Sequence, residues 1–172
     1  MASLMESLID VLEKESSEYE GLLELSQRKT PVIVSGNLEN LKKITDEEQE
    51  LVSRINHLDK KRMEITADIA NVLNKDVAAL KLKNLIAMLS GRPEEQRHLA
   101  EAHDRLQSAV GDLRKVNEHN SELLKQALEM VAFEMNLVQS MKAAPETANY
   151  NRGAYSAGET MGVSSRGFDA RQ

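Results

Sequence analysis

Apolar residues between Leu41 and Val72 recur at alternating steps of three and four positions. The positions that follow this spacing are Leu41, Ile44, Glu48, Leu51, Ile55, Leu58, Arg62, Ile65, Ile69 and Val72. Only two of them, Glu48 and Arg62, are charged. Such a spacing keeps one narrow stripe of a helix turned toward a partner helix, as in a coiled coil or a helical hairpin. The stripe therefore predicts a long helix that packs against another along most of its length.

A second stripe with the same spacing lies nearer the C-terminus and supplies a partner within the same chain. Its positions are Leu99, His103, Leu106, Val110, Leu113, Asn117, Asn120, Leu124, Ala127, Val131, Glu134 and Val138. We expect His103 to be a core histidine satisfied by a neighbour. We expect Asn117 and Asn120 to be buried asparagines that fix the register of the pairing. Together the stripes predict an all-α protein, an elongated antiparallel bundle or coiled-coil hairpin of about four helices.

Local signals set the boundaries of the first two helices. The first is expected at residues 3–28, because Pro31 disfavours helical geometry at Thr30 and so ends the helix. A Ser-Gly-Asn turn follows. The second helix is expected at residues 38–73, with Asn37 as its N-cap, since an Asn side chain can accept a hydrogen bond from the first turn.

The second half of the chain is predicted to hold two helices and a tail. Asp76 is expected to cap a short third helix, and Pro93 suits the first position of a fourth helix that extends to about residue 142. Residues 143–172 contain four of the eight Gly and no Leu or Ile, too little apolar surface to offset the entropy of ordering. We therefore expect a helical domain at residues 1–142 and a disordered, flexible tail at residues 143–172.

The composition narrows the classes of function. The chain has no Cys, no Trp, three Tyr and two Phe. The absence of Cys excludes disulfides and thiolate metal sites. No segment approaches the roughly 20 apolar residues of a membrane span, and the N-terminus lacks the basic region of a signal peptide. We therefore expect a soluble, cytoplasmic protein without stable membrane insertion.

Acidic residues are concentrated in the first helix. Residues 1–27 carry seven acids against one Lys, a net charge of −6 that equals the net charge of the whole chain. Clustered acids disfavour nucleic acid, which proteins bind through Lys and Arg. Two interpretations of the acidic helix are open: a solvated face, or a docking face for a basic partner.

Two motifs imitate catalytic or cofactor sites without the residues that such sites need. Glu95 and His98 match one half of a di-iron pattern, which requires a second such pair and two further Glu. Residues 153–160 imitate a phosphate-binding loop, but Glu159 stands where a Lys is required. We therefore expect no enzymatic activity, no cofactor and no bound metal.

The C-terminal end of the fourth helix is apolar over nearly half of its circumference, wider than the ~100° that packing on one surface requires. Two adjacent stripes produce this width. They are Leu124, Leu128, Val131, Met135 and Val138 in one, and Leu123, Ala127, Met130, Leu137 and Met141 in the other. One interpretation is a helix buried by two neighbours. The other is a surface that receives a helix from another protein, which the Met side chains favour because they suit adaptable grooves.

Several short motifs occur along the chain in a distinctive order. After the early acidic helix they are Gly36-Asn37-x-x-x-Leu41-x-x-Ile44-Thr45-x-x-Glu48-x-x-Leu51, Leu58 before Lys61-Arg62, Asn117-x-x-Asn120-x-x-Leu123-Leu124, Tyr150-Asn151-x-Gly153 and Gly167-Phe168-Asp169-Ala170. Together their order and spacing resemble the FlgN family of flagellar export chaperones, over most of the chain.

The resemblance implies a cytoplasmic chaperone that binds hook-associated flagellar proteins by their C-terminal segments. It would deliver them to the flagellar type III export apparatus without cofactor or catalysis. The family's substrate-binding region is its C-terminal amphipathic helix, which corresponds here to the surface between Leu123 and Met141. The competing hypothesis is a structural coiled-coil spacer or a self-associating tether, including a homodimer. The polar positions in both stripes disfavour a permanent rod.

The tail contains three of the five aromatic residues, although it is the segment least able to fold. Aromatic residues are enriched where interfaces are anchored. The tail is either passive or a short docking element for the export gate or the export ATPase. The predicted partner-binding residues are therefore Leu123, Leu124, Leu128, Met130, Val131, Met135, Leu137, Val138 and Met141, with Tyr150, Tyr155 and Phe168 in the tail.

Overall fold

The computed structural model describes residues 3–143, and the regular structure there is helical throughout. The helices are α1 (Leu4–Ser35), α2 (Leu38–Val72), α3 (Leu82–Met88) and α4 (Pro93–Ala143), with 3-10 turns at Val77–Ala79 and Leu89–Gly91. The prediction of an all-α fold with four helices is confirmed. The tail predicted at residues 143–172 lies outside the described residues, apart from its first position.

Side-chain and backbone caps define the ends of the first two helices. The Ser3 hydroxyl accepts from the Glu6 N–H at 3.1 Å, and the Glu6 carboxylate accepts from the Ser3 N–H at 2.7 Å. Gly36 ends α1 with a φ of 69°, a left-handed conformation that glycine adopts without steric cost. Asn37 caps α2 by accepting from the Asn40 N–H at 3.1 Å, as its side chain predicts.

The prediction that Pro31 ends the first helix is wrong. Pro31 lies inside α1, which continues to Ser35. A proline in a helix interior removes one backbone hydrogen bond and is unfavourable locally. The continuation buries Ile33 in the first unit of the fold, and tertiary packing of this kind overrides local propensity.

The third helix is shorter than its sequence signals predict. Asp76 is an N-cap as expected, since its carboxylate accepts from the Ala78 N–H at 3.1 Å. It caps only the turn Val77–Ala79, and α3 begins separately at Leu82. The fourth helix begins at Pro93 and ends at Ala143, which agrees with the predicted boundaries.

The chain divides into two compact units, Met1–Glu129 and Met130–Gln172. In the first unit, α1, α2 and the N-terminal part of α4 share a core with α3. Its larger cluster is Leu8, Val11, Leu12, Ile65, Ile69, Ala70, Leu80, Leu85, Leu99 and Ala102. A smaller cluster joins Leu22, Ile55 and Leu113. The predicted stripe on α2 is buried or half-buried at every position except Val72, whose side chain is 75% exposed.

The stripe predicted on α4 is buried over only part of its length. Leu99 and Leu113 are buried and Leu124 is half-buried, but the later members from Ala127 onward are exposed. Asn117 is also exposed, so the prediction that it is a buried register residue is wrong. Ala102 and Ala109 are buried and Val116 is half-buried, each one residue before a predicted position (His103, Val110 and Asn117). The contact of α4 therefore has the predicted spacing in a different phase.

Asn120 is buried, as predicted, and its side chain joins α4 to α1. Its side chain is 4% exposed. The amide Nδ2 donates to the Ser26 carbonyl at 2.8 Å, and Oδ1 accepts from the Thr30 hydroxyl at 2.6 Å. Both contacts lie in the turn of α1 that precedes Pro31, where the proline deprives the helix of a donor. Asn120 therefore braces α1 at its locally weakest point.

Each charged interruption of the α2 stripe meets an opposite charge from α1. Glu48 accepts from the Lys29 ammonium at 2.8 Å. Arg62 donates to Glu15 at 3.1 Å and also pairs with Asp59 on its own helix. Glu15 is 2% exposed, and its Oε2 has no hydrogen-bond partner among residues 3–143. Burial raises the pKa of Glu15, and the charge of Arg62 opposes that rise.

Candidate partner-binding surface

The second unit presents a dense run of exposed apolar side chains on α4. Among the residues that the structure describes, the longest run of large exposed apolar side chains lies between residues 128 and 141. That segment contains Leu128, Met130, Val131, Phe133, Met135, Leu137, Val138 and Met141, each between 49% and 71% exposed. Single exposed apolar residues are ordinary, whereas a contiguous set marks an interaction site. We name the seven of them in the second unit, from Met130 to Met141, the α4 apolar face.

The exposure of this face bears on the two interpretations of the wide apolar surface. A helix buried by two neighbours would have these side chains covered, and within the described residues they are not. The predicted partner-binding residues Leu123 and Leu124 belong to the first unit and are half-buried. The predicted residues Tyr150, Tyr155 and Phe168 lie outside the described residues.

Two features of the surface were missed by the sequence reasoning. Phe133 lies on neither predicted stripe, yet its ring is 67% exposed beside them. Glu134 lies between the stripes, four residues after Met130 and three before Leu137, so helical geometry places it within the α4 apolar face. The sequence did contain a signal for Glu134, because it is a charged position in the predicted stripe from Leu99 to Val138.

Three of the seven acidic side chains of α1 pair with arginines on other helices of the first unit. Glu20 forms two hydrogen bonds with the Arg105 guanidinium, at 2.8 and 2.7 Å, and these bonds lower the pKa of Glu20. Glu18 accepts from Arg54 at 3.1 Å. With the Glu15–Arg62 pair, these contacts join α1 to both α2 and α4. The acidic face is therefore in part an internal docking surface for arginines of the same chain.

The residues considered for metal binding and catalysis have ordinary surface contacts. Glu95 pairs with Arg92 at 3.3 Å, and His98 lies 3.4 Å from a nitrogen of Arg97. His103 is half-buried, with its Nδ1 3.1 Å from the carboxylate of Asp104. Between residues 3 and 143, no group of three or more His, Cys, Asp or Glu could hold a metal ion. The loop-like segment at residues 153–160 lies outside the described residues.

An apolar hollow of about 540 Å³ opens in the first unit, where the start of α1 meets the end of α2, α3 and the start of α4. Its lining includes Met5, Ile69, Val72 and Met88. The hollow was not predicted from the sequence, because its lining residues come from separate segments. Across the described helices, none is both long and apolar enough to cross a bilayer.

Comparisons with known proteins identify a family and a relative of this chain. The family model described as FlgN protein matches residues 1–156. The chain is 27% identical to the uncharacterized protein YvyG of Bacillus subtilis (strain 168) over an alignment of 146 residues. The alignment covers 84% of each of the two chains. No solved structure matches. Since the family model spans most of the sequence, the chain belongs to the FlgN family of flagellar export chaperones.

Proposed function

We propose that this protein is a cytoplasmic chaperone for hook-associated flagellar proteins. It binds the C-terminal segment of its client on the surface between Leu123 and Met141 and delivers the client to the flagellar type III export apparatus. The observation that carries this proposal is the α4 apolar face, whose side chains are about half exposed or more. A helix in a groove is a recurrent way to recognise a peptide, and it is read as anchors at helical spacing.

The physical character of the face suits reversible binding. Three of its seven side chains are Met, which are flexible and polarizable and can repack around different partners. A client segment that folds on binding must offset its ordering entropy, so we expect micromolar to sub-micromolar affinity. Such affinity allows release at the export apparatus. A tail element containing Tyr150, Tyr155 and Phe168 would contact the export gate or its ATPase.

The test places a charge on the α4 apolar face. Leu137→Asp and Met141→Asp should each weaken binding of a client segment at least tenfold, because a carboxylate would be buried among apolar groups. Gln139→Asp is the matched control, since it adds the same charge at an exposed polar position of the same helix. Isothermal titration calorimetry with purified C-terminal segments of hook-associated proteins measures the affinity, and circular dichroism checks helicity.

Two results would contradict the proposal. If both variants bind the client segment with unchanged affinity, the client does not bind on the α4 apolar face. If no segment binds and the chain only associates with itself, the protein is a self-associating tether rather than a chaperone.

A further inference from the structure

Glu134 is the one charged side chain enclosed by the α4 apolar face. It lies three residues after Val131 and four before Val138, as well as four after Met130 and three before Leu137. Residues three and four apart are neighbours on a helix surface, so apolar side chains flank the carboxylate on both sides. Glu134 is exposed, and within residues 3–143 it makes no salt bridge.

The first unit shows how this chain accommodates charge at a helix–helix contact. Of the two charged positions in the α2 stripe, Glu48 meets Lys29 of α1 at 2.8 Å and Arg62 meets Glu15 of α1 at 3.1 Å. In both cases the helix packed against the stripe supplies the opposite charge. Glu134 occupies the corresponding kind of position in the α4 stripe, but its counterpart is not among the described residues.

Covering Glu134 with a purely apolar helix would be costly. A carboxylate that is removed from water without a partner loses its hydration and gains nothing in exchange. A Lys or Arg on the covering helix removes this penalty through a charge-assisted hydrogen bond. The same carboxylate then selects among apolar helices, because those without a cation at that position bind less well.

We propose that the partner of the α4 apolar face is an amphipathic helix of another protein that carries a Lys or Arg opposite Glu134, flanked by apolar residues at helical spacing. This inference rests on the proposed function and specifies the chemistry of the client segment. The cation sets the register of the client along α4, as Glu48 and Arg62 do between α1 and α2.

A second copy of this chain fits the face less well. Two copies aligned around Glu134 would place carboxylate against carboxylate. The only cation of the second unit within the described residues is Lys142. An antiparallel pairing that brings Lys142 to Glu134 has its centre at Val138, and Met130 would then face a position beyond Ala143. Such a dimer leaves the N-terminal part of the face without a described apolar partner.

The test reverses the charge and compares it with a matched control. Glu134→Lys should weaken binding of a client segment at least tenfold, whereas Glu118→Lys, the same charge reversal at an exposed position of α4 that precedes the proposed surface, should change it less than twofold. The probes are purified C-terminal segments of hook-associated proteins, titrated into the full chain by calorimetry. In the segment that binds, Lys or Arg→Glu at the contacting position should restore most of the affinity for the Glu134→Lys chain.

The outcomes separate this inference from the proposed function. Binding that Leu137→Asp abolishes but Glu134→Lys leaves unchanged overturns the paired cation and keeps the chaperone. Tighter binding by Glu134→Gln also overturns it, because the carboxylate would then oppose binding. A dimer in sedimentation experiments that Glu134→Lys dissociates assigns the face to a second copy and overturns the proposal. If no segment binds, both proposals fail.

Discussion

At the scale of single residues, polar side chains within helix contacts determine how the helices of the first unit align. Three polar side chains form hydrogen bonds or ion pairs with α1, at donor–acceptor distances of 2.6 to 3.1 Å: Glu48, Arg62 and Asn120. An apolar stripe alone tolerates a shift of one helix along another, whereas each of these pairs is satisfied in only one register. The unpaired Oε2 of Glu15 has a cost, because burial without a partner disfavours the ionised carboxylate.

Asn120 and Asn117 form a matched pair for testing this role. Asn120→Ala leaves the Ser26 carbonyl and the Thr30 hydroxyl without their side-chain partner, so we expect unfolding to become easier by about 1–3 kcal/mol. Asn117→Ala, at an exposed position, should change stability by less than ~0.5 kcal/mol. Urea denaturation of the full chain measures both. Equal effects would show that the buried amide contributes nothing beyond helix propensity.

At the scale of helices, the sequence predicts which helices are present better than it predicts where they end. The 3-4 periodicity identified α2 and α4, and Asn37 and Pro93 marked where they begin, because these signals act locally. The predicted end of α1 was wrong, since the effect of Pro31 is local, whereas the burial of Ile33 depends on tertiary packing. The exposure of Asn117 was missed for a different reason: the contact of α4 runs through Ala102, Ala109 and Val116, and small Ala side chains give a weak apolar signal in the sequence.

Pro31 should therefore limit the stability of α1. In a helix interior, proline costs about 3 kcal/mol, of which about 1 is returned through the restricted unfolded chain. Pro31 is exposed, so Pro31→Ala creates no cavity, and we expect a gain of about 2 kcal/mol in the free energy of unfolding. Val34→Ala, also exposed on α1, is the control and should have little effect. A loss of stability in Pro31→Ala would show that α1 requires the proline geometry near Asn120.

At the scale of the whole molecule, the sequence located the candidate surface but not its composition. The excess apolar width of α4 pointed to residues 123–141. The sequence alone left open whether this part of α4 is buried by two neighbouring helices or receives a helix from another protein. The structure leaves the later positions exposed and Leu123 and Leu124 half-buried. The place of Glu134 within the face became informative only once Glu48 and Arg62 had been found paired across the α1–α2 contact.

The tail provides the last test, because the proposed function assigns client binding and docking at the export apparatus to different segments. A chain that ends at Lys142 retains nearly all the described helices and the complete α4 apolar face. We expect unchanged helical content by circular dichroism and unchanged client affinity by calorimetry, but reduced secretion of the client from cells. A full-length chain with Ala at Tyr150, Tyr155 and Phe168 should behave in the same way if these side chains anchor the contact. Normal secretion by the truncated chain would make the tail passive, and lost client affinity would extend the binding surface into it.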